Sequence, residues 1–293
     1  MYTEFRAVAQ SNAIGYYKGW CKPISEFLAA CGLVKTADTG QVNGYTWATL
    51  PAPPATNNNN FYEIWRFDDP LQATLPVFIK LWYGNSSNPL AGSYCFSVAI
   101  GTGSDGAGNL TGTVWTTPGM GCQSGVNTTL YASCLSGGPN RIVFGLFRDL
   151  GAQPSGVISI ERSHDAAGND TAEYIFVTCG YAWYSNGIGW QQRVYVPGTG
   201  WVPTGWTEGI SFLSSINALG SFNGYTPVSP AFPVFGKIGN PSSQLFVARY
   251  NDVAEGQQCN VQIYNQIHPV IWGHAWGWWD KGANGFTLGM RAD

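Results

Sequence analysis

The run SVAIGTGSDGAG (97–108) places Gly101, Gly103 and Gly106 in the spacing G-x-G-x-x-G directly after an apolar stretch. In a dinucleotide site those glycines open a helix, whose first amides hold a pyrophosphate. Here they are followed by Ala107-Gly-Asn-Leu-Thr-Gly-Thr-Val-Trp115, glycine-rich and then β-branched, which predicts a return strand. The loop also recurs. Asp105-Gly-Ala-Gly-Asn-Leu-Thr111 is echoed by Asp165-Ala-Ala-Gly-Asn-Asp-Thr171. D-x-A-G-N-x-T therefore reads as turn chemistry used twice, at two hairpin tips. Gly108 and Gly168 supply positive φ, and Asp105, Asn109, Asp165 and Asn169 supply local hydrogen bonds.

The same tips offer hard oxygen ligands, but neither carries the twelve-residue calcium pattern nor a distal glutamate. With no C-x-x-C pair among seven cysteines and only three histidines, zinc chemistry has no spacing to rest on. His164-Asp165 sits in a turn where neighbours face different ways, a poor start for a nucleophilic triad. Glu161 and Glu173 flank the second hairpin and are the carboxylates that glycoside hydrolysis would need to bring together. Lacking a G-x-S-x-G, H-E-x-x-H or P-loop, the sequence predicts no catalytic residue, no cofactor and no metal.

Binding chemistry is better represented. Eight of the thirteen tryptophans follow residue 180, and 272–281 reads WGHAWGWWDK. Trp272, His274, Trp276, Trp278, Trp279 and Asp280 are the candidate contact residues. Flat rings beside polar groups stack sugars, and the same residue types anchor protein interfaces or fill a core.

The elements that must position these groups are mostly strands. Charged residues are 11% of the 293, against about 25% in an average domain. A net charge of −3 with no basic run excludes a nucleic-acid or anionic-membrane surface. No apolar stretch reaches a membrane span, so no membrane insertion is expected. The N-terminus lacks the basic start and apolar run of a secretory signal, which points to synthesis in a cytoplasm.

Pro23–Gly32 predicts one short helix, with proline and Glu26 in its first turn, an apolar face of Ile24, Phe27, Leu28 and Cys31, and Gly32 as its stop. Leu50–Asn60, in which three prolines precede four asparagines, reads as a surface loop. From residue 61 strands follow at 61–67, 77–83, 93–100, 141–147, 156–162, 173–179, 193–196, 245–250, 259–264 and 286–291. With no helix between them, a parallel α/β sheet is excluded. The expectation is a mainly β fold, an antiparallel β-sandwich or jelly-roll-like architecture. Residues 1–36 form an N-terminal segment with the helix, and 37–293 a β-rich domain of one or two stacked units.

Three stretches, LVKTADTGQVNGYTWATLP, FYEIWRFDDPLQATLPVFIKLWYG and VAIGTGSDGAGNLTG, together with the closing FTLGMRAD, resemble a family of tailed-bacteriophage virion structural proteins. The likeness covers residues 23–115 and the C-terminus, and is faint through the tryptophan-rich middle. It carries no catalytic residue, so it implies a context: a structural component of the tail, neck or fibre region, made in the host cytoplasm and released by lysis. Its implied partners are other virion proteins and further copies of itself, with interfaces depleted of charge. Cysteines would then have the chance to oxidise after lysis. The loop at 50–60 and the extra tryptophans depart from the family pattern and leave a second expectation, a lectin-like module that recognises host surface glycans.

Overall fold

A computed structural model describes residues 2–8, 16–43, 61–85, 94–116, 120–122, 127–134, 141–148, 156–165, 167–183 and 187–203. Near the C-terminus it describes 228–230, 234–235, 238–239, 245–249, 258–263, 266–276 and 286–291. The proline- and asparagine-rich loop at 50–60 lies outside these residues.

Strand β1 (Tyr2–Val8) opens the chain and leads to helix α1 (Tyr16–Ala30). Next come β2 (Val34–Lys35), β3 (Phe61–Arg66), β4 (Phe78–Asn85) and β5 (Tyr94–Gly101), each antiparallel to the one before. The small hairpin of β6 (Gly103–Ser104) and β7 (Leu110–Thr111) follows. Both β8 (Trp115–Thr116) and β9 (Met120–Cys122) return to pair with β5, which completes a six-stranded sheet.

The chain then builds β10 (Asn127–Cys134), β11 (Arg141–Arg148), β12 (Gly156–His164), β13 (Asp170–Trp183), β14 (Gly187–Val196) and β15 (Gly200–Pro203). With β1 added beside β10 they form a seven-stranded antiparallel meander. A further five-stranded sheet takes β16 (Val228–Pro230), β19 (Leu245–Arg249), β20 (Gln258–Ile263), β21 (Gln266–Trp276) and β22 (Phe286–Arg291), while β17 (Val234–Phe235) and β18 (Ile238–Gly239) pair with each other. Among the described residues every strand pair is antiparallel and every sheet is open, the mainly β, sandwich-like architecture expected from the sequence.

Alternation decides which side chains meet. Ile79, Leu81 and Tyr83 of β4 point inward with Val98 and Ile100 of β5, and Lys80 and Trp82 point the other way. From the seven-stranded sheet Ile158, Ile160, Ile175 and Val177 enter the same core, as do Ile24, Phe27 and Leu28 of α1. Burying each of these large apolar side chains contributes about 1.5–3 kcal/mol. In β5 burial is two-sided, because Ala99, on the outer face, is as buried as its neighbours Val98 and Ile100. The loop after β2 and the β6–β7 hairpin cover that face.

The helix departs from expectation at its start. It begins at Tyr16, so Pro23 stands inside it rather than in the first turn. An interior proline costs about 3 kcal/mol through one lost hydrogen bond and a clash with the preceding turn. Burial of Ile24, Phe27 and Leu28 immediately after it offsets that cost. Glu26, in turn, lies away from the positive end and pairs with Lys22 at 3.6 Å. The stop is as read: Gly32 has φ +85°, its amide bonds to Ala29 O at 3.0 Å, and the Leu33 amide reaches back to Leu28 O at 3.0 Å. Cys31, on the same helix end, is a buried thiol; the side chains of the other six cysteines are outside the described set.

Candidate functional site

The two loops that share D-x-A-G-N-x-T share their hydrogen bonds. At the first, Asp105 Oδ1 accepts the amides of Ala107 and Asn109 at 2.8 and 2.9 Å, and Asp105 Oδ2 accepts Asn109 Nδ2 at 2.8 Å. At the second, Asp165 Oδ1 accepts Ala167 and Asn169 amides, both at 2.9 Å, and Oδ2 accepts Asn169 Nδ2 at 3.0 Å. Gly108 and Gly168 have φ of +96° and +84°. The asparagine side chain first, then the loop amides, hold both aspartates below the usual carboxylate range. Those oxygens face N–H donors, the wrong polarity of neighbour for a bound cation. No helix follows Gly106; the glycine triplet runs into β6 and β7.

The first tip is also docked. The loop 36–42 crosses the outer face of the six-stranded sheet and presents Asp38. Asp38 accepts Ser104 Oγ at 2.9 and 2.7 Å and the Gly108 amide at 3.1 Å. Thr39 donates its amide to Gly106 O at 2.9 Å. From β4 below, Lys80 Nζ donates to Gly108 O at 2.5 Å and lies 4.3 Å from the Tyr62 ring centroid and 4.8 Å from that of Trp82. Tyr62, whose hydroxyl donates to Thr39 O at 2.5 Å, closes the cluster.

Electrostatics follow from this enclosure. Burial is the largest influence on Asp38 and pushes its pKa up, but hydrogen bonds from Ser104, Thr36 and Gly108 together hold it below its ordinary value. Burial pushes the Lys80 pKa down, and the carboxylates of Asp105 and Asp38 counter it only in part. Beside the cluster a shallow, open depression of about 650 Å³ is lined by Lys35, Asp38, Arg66, Phe78, Ser104 and Asp105, among others.

The remaining carboxylates are structural in their contacts. Glu161 pairs with Phe176 across the β12–β13 ladder, whereas Ile160 pairs with Val177 on the core side. The register shifts between Arg162 and His164, so the alternation does not carry on to Glu173, which is exposed while Ala172 beside it packs against the core. Glu161 is buried and accepts Ser159 Oγ at 2.9 Å. His164 turns to Asp170 across the hairpin, Nδ1 to Oδ1 3.1 Å, rather than to its neighbour Asp165. Glu63, fully buried, accepts Ser25 Oγ, Lys35 Nζ and Tyr83 Oη at 2.5, 2.6 and 2.8 Å, which ties α1, β2, β3 and β4 together. Arg162, equally buried, bonds Asp69 twice and Leu75 O once.

The tryptophan stretch is divided. Trp272, His274 and Trp276 lie on β21, and the register shifts between Trp272 and Ala275, so the alternation that begins at Trp272 is broken before Trp276. Trp278, Trp279 and Asp280 fall outside the described residues. Two other tryptophans do meet: Trp115 of β8 and Trp201 of β15 have ring centroids 5.9 Å apart, and Tyr195 is 5.4 Å from Trp201.

No family model, curated protein or solved structure matches the chain.

What the described clusters do chemically is hold strands and loops in place. Sequence reading missed Asp38, Tyr62, Glu63, Lys80 and the Arg162–Asp69 pair. For Glu63, Lys80 and Arg162 the signal was present as charges set inside apolar strands, in FYEIWR, VFIKLWY and GVISIER; Asp38 and Asp69 lie in loops outside them. Among the described residues no three His, Cys, Asp or Glu gather to hold a metal ion, and no helix is long and apolar enough to cross a membrane.

Proposed function

We propose that the chain is a non-enzymatic structural component of a tailed-phage virion, assembled with further copies of itself and with other virion proteins. The observation that carries the reading is where the few charges go. Asp38, Glu63, Asp69, Lys80, Glu161 and Arg162 are all nearly or fully inside the fold. A chain that is only 11% charged thus places part of that small number internally, which leaves a surface poorer still in charge. Depletion of charge with aromatic enrichment is the composition of the buried centre of a protein interface. Open sheets add edges at which neighbours pair.

Light scattering on the purified chain, with and without reductant, tests this. A defined multimer supports the reading, and one that loosens on reduction adds a disulfide between copies. A monomer at every concentration, indifferent to reductant, overturns it and favours glycan recognition.

A further inference from the structure

We propose that His164 is a proton-operated latch on the second hairpin tip, closed while the imidazole is charged and loosened as it turns neutral. The twin tips isolate it. Each D-x-A-G-N loop is closed by one ladder pair, Ser104 with Leu110 at the first and His164 with Asp170 at the second. The first tip is fastened from outside, through Ser104 Oγ to Asp38. At the second the closing pair is itself the fastening, His164 Nδ1 to Asp170 Oδ1 at 3.1 Å, and both partners are of the kind that titrates.

A second carboxylate completes the cluster. In an unbroken strand, residues three apart face opposite sides. The ladder shifts register between Arg162 and His164, however, and His164 Nε2 stands 3.9 Å from Glu161 Oε2. The side chains of His164, Glu161 and Asp170 are 8%, 4% and 14% exposed, so little solvent screens them. The ring thus spans two strands, with one carboxylate near each nitrogen.

Charge decides which form of the ring fits. Burial by itself favours the neutral imidazole, whereas carboxylates at 3.1 and 3.9 Å favour the imidazolium. The neighbouring charges leave that role open. Arg162 is turned toward the core, where Asp69 and Leu75 O hold it. Arg141 occupies the ladder position opposite Glu161, so one cation stands against two carboxylates until the ring takes a proton. Asp165 gives its oxygens to the loop amides and Asn169, and Glu173 is exposed. The latch is therefore complete below about pH 6.5, the ordinary histidine value, and is lost as pH rises through a higher folded value.

The test follows amide hydrogen exchange in the full chain between about pH 5.5 and about pH 8.5, corrected for intrinsic exchange, in wild type, His164→Gln and Asp170→Asn. In wild type, protection of 164–174 is expected to fall about tenfold with rising pH, the factor carried by one unit of pKa, while protection of 103–111 does not fall. Protection of 164–174 that stays level or rises overturns the latch. His164→Gln is expected to abolish the fall; an equal fall in that variant assigns it to another group and overturns the proposal as well. Should His164→Gln unfold, Asp170→Asn decides. Loss of the nearer carboxylate should move the midpoint of the fall to lower pH, and an unmoved midpoint overturns the latch. The device is internal to one chain, so its outcome is separate from the light-scattering result.

Discussion

Arg162 and Asp69 face each other across the two sheets through a double hydrogen bond, Nε to Oδ2 at 2.6 Å and Nη2 to Oδ1 at 2.9 Å. The guanidinium also rests 5.5 Å from the Phe67 ring centroid and donates to Leu75 O at 2.7 Å. Asp69→Ala strands a fully buried cation and is expected to cost about 3–5 kcal/mol. Replacing both partners, Asp69→Leu with Arg162→Met, is expected to recover much of that loss. Urea unfolding of the three proteins checks the order, and equal losses for single and double variants would contradict it.

The twin tips make an internal control. Gly108 and Gly168 share a left-handed backbone, so alanine at either carries a conformational cost of about 1–2 kcal/mol. A Cβ added at Gly168 would meet nothing within 4 Å, whereas one added at Gly108 would fall on the Tyr62 hydroxyl. Gly108→Ala should therefore exceed Gly168→Ala by about a further 1–3 kcal/mol, the usual range for overpacking. Thermal melts of the two variants measure the difference directly.

Acid should loosen the docked tip. Asp38 has a folded-state pKa below its ordinary 3.8, so its contribution is complete above that value and is lost as pH falls from 3.8 through the lower folded pKa. Lys80 works at the other end: its pKa is depressed below 10.5, so the unfolded chain binds more protons between the two values and stability linked to Lys80 rises with pH there. Urea midpoints measured down to acid pH should fall less steeply for Asp38→Asn than for wild type. Asp105 and Asp165, also depressed, keep some of the slope.

Glu63 gathers donors from three elements, and each donor should count separately. Tyr83→Phe removes one hydrogen bond in the core and is expected to cost about 1–2 kcal/mol. Glu63→Ala takes the shared carboxylate from Ser25, Lys35 and Tyr83, with Lys35 keeping its bond to Val42 O, and should cost about 3–5 kcal/mol. Chemical denaturation distinguishes the two.

Local pattern was enough for the strands whose apolar residues alternate or run together. The expected strand at 286–291 coincides with β22, and those at 61–67 and 77–83 differ from β3 and β4 by one or two residues. The tip motif was legible because all its hydrogen bonds close within five residues. What failed to show was whatever depends on distance. β1 has no clean period and forms by pairing with β10, and β21 was hidden by Pro269, a residue that ordinarily argues against a strand. Asp38 meets Ser104 and Gly108 from 66 and 70 positions away, a relationship that no window along the chain contains.

Pairing of β1 with β10 joins Tyr2–Val8 to Asn127–Cys134, and synthesis runs in one direction. At about 5–20 residues per second, the first strand leaves the ribosome on the order of ten seconds before its partner exists. For that interval its backbone donors and acceptors have only water or a neighbouring nascent chain to pair with. The seven-stranded sheet thus closes its first-made edge late, after more than a hundred further residues have been added.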